Sequence, residues 1–122
     1  MVENDFIHIN IAVVTISDTR VLNNDKSGDT LVNRITKFGH KVTVREIVKD
    51  DFDKISDLFK KLLKNKDIDV IISTGGTGLT GKDITPEVMK TIFEKTIDGF
   101  GEMFRWLSFK KISTSTLQSR AL

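Results

Sequence analysis

Residues 68–87 read IDVIISTGGTGLTGKDITPE. The first part, Ile68 to Thr74, is apolar and rich in β-branched residues without polar alternation, the pattern of a strand buried on both faces. It runs directly into four glycines, at 75, 76, 78 and 81, with no helix between. Thr85 then suits an N-cap and Pro86 the first helical position, with Val88, Met89, Ile92 and Phe93 on one face. Strand, glycine loop and helix in this order are the repeating unit of a parallel α/β sheet.

Working outward, the same unit recurs. His8 to Ser17, HINIAVVTIS, is a second run of this kind and is predicted to be the central strand. SDTRVLNNDKSGD collects Asn, Asp, Ser and Gly and reads as a loop. TLVNRITKF places Leu31, Ile35 and Phe38 at helical spacing, with Gly39 just past the end. KVTVREIV is a strand, and after Asp51 a helix carries Phe52, Ile55, Leu58, Phe59, Leu62 and Leu63 on one side. Beyond GFGE, Met103 to Ile112 is predicted helical, and TSTLQSRAL as a further helix. The fold class expected is α/β, a mostly parallel sheet with helices on both faces. Right-handed crossovers put the loops after Ser17, Val48 and Thr74 at one sheet edge, where ligands of such sheets bind.

Composition limits the partners. With 122 residues and 39% hydrophobic content, one domain over 1–122 is expected. Lys and Arg number 19 against 17 Asp and Glu, mixed along the chain, so no footprint for nucleic acid stands out. MVENDFIHIN lacks a basic region and a long apolar run, and no later segment approaches membrane-spanning length, so a cytoplasmic location is expected. Without cysteine there are no thiolate sites, and His8 and His40 are isolated.

The glycine loop nearly fits the nucleotide pattern G-x-x-x-x-G-K-[ST], with Gly76, Gly81 and Lys82 in register and Asp83 where a hydroxyl belongs. A carboxylate there repels bare phosphate by about 1 kcal/mol or more at contact range. Gly76, Gly78 and Gly81 also match the dinucleotide spacing, yet no acidic residue ends a following strand. As the residues stand, glycine N–H groups and the nearby helix N-terminus suit an anion, and Asp83 fits if a divalent cation bridges it to phosphate. The implied chemistry is phosphoryl or nucleotidyl transfer. A flexible glycine turn, with Asp83 exposed and Thr85 capping, is the alternative on spacing alone.

TGGTG followed by GKDITPE resembles the pterin-binding signature of the MoaB/MogA family of molybdenum cofactor biosynthesis proteins. VVTISDTR, DKSGD, GFGEMFRWLSF and STSTLQSRAL resemble their counterparts in the same order, and the last two look closer to MoaB than to MogA. The resemblance implies a three-layer α/β/α, molybdopterin-binding fold and a place in cofactor biosynthesis. In active members of such a family MgATP adenylylates the terminal phosphate of molybdopterin and pyrophosphate is released; a non-catalytic oligomeric carrier is the alternative. Members form trimers or hexamers, so a homotrimer or homohexamer is implied, with a metal-insertion partner of the same pathway.

Residue by residue, the resemblance carries catalysis and magnesium binding to Asp83 and to Asp50 in REIVKDD. It carries substrate binding to Ser17, Asp18, Ser27, Gly28, Thr74, Gly75, Gly76, Thr77, Gly78 and Glu102. For several of these a local role competes: Ser17 and Asp18 as a capped turn, Ser27 or Asp29 as a helix cap, Glu102 as a favourable charge in a first helical turn. Arg120 in LQSR could meet phosphate or a partner subunit, with an ordinary surface charge the reading placed first, and Phe104, Trp106, Leu107 and Phe109 read as core ahead of subunit contact. Relatives continue past SRAL with a strand, a Leu-Pro-Gly loop and a helix, so the domain is expected to lack those elements and to expose apolar surface.

Overall fold

In NIAVVTI, all six residues after Asn10 are buried, as a strand covered on both faces requires. This strand, Asn10–Ile16 (β1), pairs in parallel with Lys41–Val48 (β2) on one side and Val70–Thr74 (β3) on the other, giving the order β2-β1-β3. The computed structural model of the chain describes residues 5–113 and 119–122.

Alternation along β1 divides the core in two. Ala12, Val14 and Ile16 face Phe52–Lys64 (α2) and Thr85–Ile92 (α3), meeting Ile55, Phe59, Leu62, Val88 and Met89. Ile11 and Val13 face Lys26–Lys37 (α1) through Ile35, Leu31 and Val32. Helices therefore cover both faces, and the α/β/α layering expected from the sequence is present. Each of the larger side chains, Ala12 aside, contributes about 1.5–3 kcal/mol by leaving water.

An irregularity in β2 shapes what lies behind the sheet edge. Ile11 pairs with Val42 and Ala12 with Val44, so Thr43 is an extra residue. Val42 and Val44 would share a face in a regular strand. Instead Val42 packs on the α1 side and Val44 on the α2 side. The bulge thus flips the alternation and turns Arg45 toward α1.

Several local expectations are corrected. The DKSGD segment is not loop: α1 begins at Lys26, after a short 3-10 turn at Leu22–Asn24. Its cap is Asp25, whose side chain accepts from Gly28 N at 3.1 Å, rather than Ser27 or Asp29. Thr85 is the first residue of α3 and not its cap; its hydroxyl donates to Gly75 O at 2.9 Å. Asp98–Ile112 (α4) starts five residues before the predicted Met103, which puts GFGE inside the helix and Glu102 beyond the first turn.

The core assignment for α4 fails most clearly. Phe104, Trp106, Leu107 and Phe109 are all exposed, between 45% and 59%, and Gly101 is the helix's one buried residue. Phe100, Met103, Phe104 and Leu107 form a stripe at helical spacing, but Trp106 and Phe109 fall off it, so no single face can be laid on a sheet. Phe100 stacks on Phe104 and Lys110 sits over Trp106 within the helix itself. The predicted helix TSTLQSRAL lies outside the described residues at 114–118, and Ser119–Leu122 has no regular structure. Among the described residues no helix is long and apolar enough to cross a membrane.

Candidate active site

The carboxyl ends of the three strands converge as predicted. Ser17 N donates to Val48 O at 2.9 Å, and Asp50 N donates to the Asp18 carboxylate at 3.0 Å. Gly75, at φ +102, lies so close to Ile16 that a Cβ there would overlap the Ile16 carbonyl oxygen. The loops after β1, β2 and β3 therefore touch at one edge. Gly75→Ala combines that overlap with a left-handed φ, and an expected loss of about 2 kcal/mol or more checks this close approach by urea unfolding.

The glycine loop is a built turn. Asp83 N donates to Thr80 O at 3.0 Å, while the Asp83 carboxylate accepts from Thr80 N at 3.0 Å and from the Thr80 hydroxyl at 2.6 Å. The Thr80 hydroxyl, its N–H and the Gly78 N–H hold Asp83 below the usual carboxylate range. Thr85 ties the far end, with N to Gly76 O at 3.1 Å and its hydroxyl to Gly75 O. Asp83 is thereby ionised and fixed at the sheet edge.

Asp50 behaves oppositely. Burial, then the nearby charges of Asp18 and Asp83, raise its carboxyl above the ordinary aspartate range, and Lys82 only partly offsets them. Lys82 is engaged with Asp18 at 3.1 Å, which lowers Asp18. Folded Asp50 binds its proton more tightly than an unfolded aspartate, so stability falls as pH rises through the window between the ordinary and the raised value. Above that window the crowded charge is unfavourable to the fold. Asp50→Asn is therefore expected to raise stability at pH 7, with the gain shrinking toward pH 4 as the native carboxyl protonates. Urea midpoints across pH check it, and a variant less stable at pH 7 than at pH 4, relative to wild type, contradicts it.

The charges of Asp18 and Asp83 are thus felt at Asp50, where a cation or a cation-bearing ligand would relieve the repulsion. Among the described residues no three acidic or histidine side chains close round an ion by themselves. A cation held here by Asp50 and Asp83 would need ligand oxygens to complete its shell.

Two hollows flank this edge. A small one of about 190 Å³ is lined by Thr15, Ser17, Arg20, Ser27, Thr74 and Gly75. Within it Arg20 donates to the Ser27 hydroxyl at 2.7 Å, so a guanidinium and several hydroxyls face one space suited to a polar anion. A larger one of about 810 Å³ runs from Ser17 and Asp18 past Arg20 and Leu22 to Arg45 and Lys49. Asp50 and Asp83 line neither hollow and stand beside the glycine loop, with Asp50 Oδ1 only 3.3 Å from where a Cβ on Gly76 would lie.

Ser17, Asp18, Ser27, Asp50, Thr74, Gly75, Gly76, Gly78 and Asp83 are accordingly brought to one region. Ser17 also supports its own turn, accepting from Thr19 N and Arg20 N. Thr77 enters through its carbonyl, which accepts from Arg120 N at 2.9 Å. Gly28 is buried, its N–H taken by Asp25 and the space beside it filled by Asp25 and Arg45. Glu102 is not brought in; it lines a separate hollow with Arg105, Ala121 and Leu122.

Two participants, Asp25 and Arg45, escaped the sequence reading, and for a third, Arg120, that reading put a surface charge first. Asp25 is fully buried: desolvation raises its carboxyl, but the bonds from Thr15 at 2.7 Å, Gly28 N and Arg45 outweigh this and lower it. Arg45 bridges Asp25 at 3.3 Å and Asp29 at 2.7 Å, and its guanidinium is held charged by Asp29 first. Arg120 is no free surface charge: it grips the glycine loop through Gly78 O, Asp83 O and the Glu87 carboxylate. The LQSR position was visible, but nothing local to it announces its partners.

Comparison with known proteins identifies the family. Residues 12–121 match the family described as "Probable molybdopterin binding domain". The chain is 44% identical over 111 residues to molybdenum cofactor biosynthesis protein B of Bacillus cereus, covering 90% of this chain and 66% of that protein. It is 41% identical over 121 residues to the protein of the same name from Escherichia coli K12, covering 99% and 71%. A crystal structure titled molybdenum cofactor biosynthesis protein B superposes with a TM-score of 0.90 at 42% identity, over 94% of this chain and 72% of that one. The chain spans about two thirds of the length of the Bacillus cereus relative. It belongs to the molybdopterin-binding domain family of molybdenum cofactor biosynthesis proteins.

Proposed function

We propose that the chain binds molybdopterin at the edge formed by β1, β2 and β3 and adenylylates its terminal phosphate with MgATP, releasing pyrophosphate. The observation that carries this reading is geometric: the carboxylates of Asp50 and Asp83 both lie against the glycine loop, Asp50 Oδ1 3.3 Å from the Cβ position of Gly76 and Asp83 Oδ2 2.7 Å from that of Gly78. An oxygen of the pterin phosphate attacks the α-phosphorus of ATP, a new P–O bond forms, and the bond to the β-phosphate breaks with pyrophosphate carrying off the electron pair. A phosphate dianion needs no base for this, so the protein's task is positioning and charge compensation. Magnesium, when bound, would neutralise the phosphate oxygens facing the carboxylates. Asp50 and Asp83 would hold it, Arg20 and the hydroxyls of Ser17 and Ser27 would receive an anionic group, and the glycines would let backbone approach closely. A resident Asp50 charge that is unfavourable alone becomes favourable against the metal-nucleotide, which ties ligand recognition to the electrostatics described above.

Self-association as a homotrimer or homohexamer belongs to the same proposal, supported by the exposed aromatic side chains of α4. A metal-insertion protein of the same pathway is the proposed recipient of product. Pyrophosphate release is the test: it should require both MgATP and molybdopterin. Saturable molybdopterin binding with no release would move the reading to a carrier.

A further inference from the structure

We propose that Arg120 is a positioning residue whose guanidinium fixes the shape of the glycine loop and thereby the place of the Asp83 carboxylate; this rests on the adenylylation reading above for its effect on rate. Each of the three guanidinium nitrogens has a partner. Nε donates to Gly78 O at 2.6 Å, one terminal nitrogen donates to Asp83 O, and the other meets the Glu87 carboxylate. The backbone N–H adds a bond to Thr77 O at 2.9 Å.

The two side-chain carbonyl contacts bracket the turn from Thr80 to Asp83. That turn contains Gly81, where nothing lies within 4 Å of a Cβ position, so packing does little to hold it. A segment with glycines at 75, 76, 78 and 81 has much backbone freedom to lose. The clamp removes it from outside, by tying Gly78 and Asp83 to one rigid planar group and that group to Glu87 in the first turn of α3. Lysine cannot substitute, because one ammonium lacks the fork that reaches three acceptors in a plane. The guanidinium charge faces carbonyl oxygens and a carboxylate, which argues for loop positioning over direct contact with substrate phosphate.

Full-length Arg120→Lys, Arg120→Ala and Glu87→Gln proteins test this with two readouts. Amide hydrogen exchange, followed by mass spectrometry without substrate, should speed up about tenfold or more at 76–83 in both Arg120 variants and less in Glu87→Gln, with 11–16 unchanged. In pyrophosphate release Arg120→Lys should lose about 10²-fold in kcat with KM for ATP within about threefold, as misplacement of a positioned group predicts. Unchanged exchange at 76–83 in a folded Arg120→Lys protein overturns the clamp. So does faster exchange spread evenly through the strands, or a failure of Arg120→Lys to fold, since each marks a general structural role. Absence of pyrophosphate release from wild type defeats the adenylylation reading instead, and the exchange arm still decides the clamp.

Discussion

Asp83→Asn is expected to slow molybdopterin-dependent pyrophosphate release by about 10³-fold, close to 4 kcal/mol of transition-state stabilisation. Asparagine keeps an oxygen able to accept from Thr80 N and the Thr80 hydroxyl, so the turn that presents the side chain survives. What the change removes is charge. Stability should stay within about 0.5 kcal/mol of wild type, since the side chain is at the surface and its local bonds persist. Steady-state kinetics with urea unfolding on the same preparation checks both parts. A rate within about threefold of wild type would remove Asp83 from the mechanism.

Asp25→Ala carries the largest expected stability effect, a loss of about 3–5 kcal/mol, out of a total that for domains of this kind is about 5–15 kcal/mol. The deletion strips the cap from α1, leaves the buried Thr15 hydroxyl without its acceptor, and takes from Arg45 one of its two carboxylates. The sign of the pH dependence follows from the lowered carboxyl. Its contribution is present above the ordinary aspartate range and is lost as pH falls through the depressed value. Wild type should therefore lose stability on acidification more steeply than Asp25→Asn, which cannot ionise. Urea midpoints from pH 7 to pH 3 measure this. Parallel curves for the two proteins would mean that Asp25 is not the ionised anchor described here.

These two aspartates also mark what was and was not legible in the sequence. The strand into the glycine loop was readable because Val70–Thr74 is apolar and is followed at once by Gly75 and Gly76, both at positive φ. β1 was readable as central because a strand buried on both faces tolerates no polar alternation. The placement of Asp50 and Asp83 at the same edge followed from parallel topology, which sends every strand's carboxyl end there. Asp25 was lost in a polar stretch, since a carboxylate among Asn, Lys and Ser ordinarily marks solvent. Its burial depends on a Thr15 hydroxyl ten residues away and on a bulge that turns Arg45 inward. The role of Arg120 was hidden for the same reason, its side-chain partners lying 33 to 42 positions earlier in the chain. α4 misled in the other direction, because aromatic residues signal burial only when their spacing makes one face.

The most direct test of the central claim is a single turnover with ATP labelled in its α-phosphate, excess protein, magnesium and molybdopterin, with products identified by mass spectrometry. The sheet-edge carboxylates predict that the labelled phosphate moves to molybdopterin as an AMP adduct, with one pyrophosphate formed for each adduct. Molybdopterin bound stoichiometrically while the ATP stays intact, or ATP cleaved to ADP and orthophosphate, would contradict it.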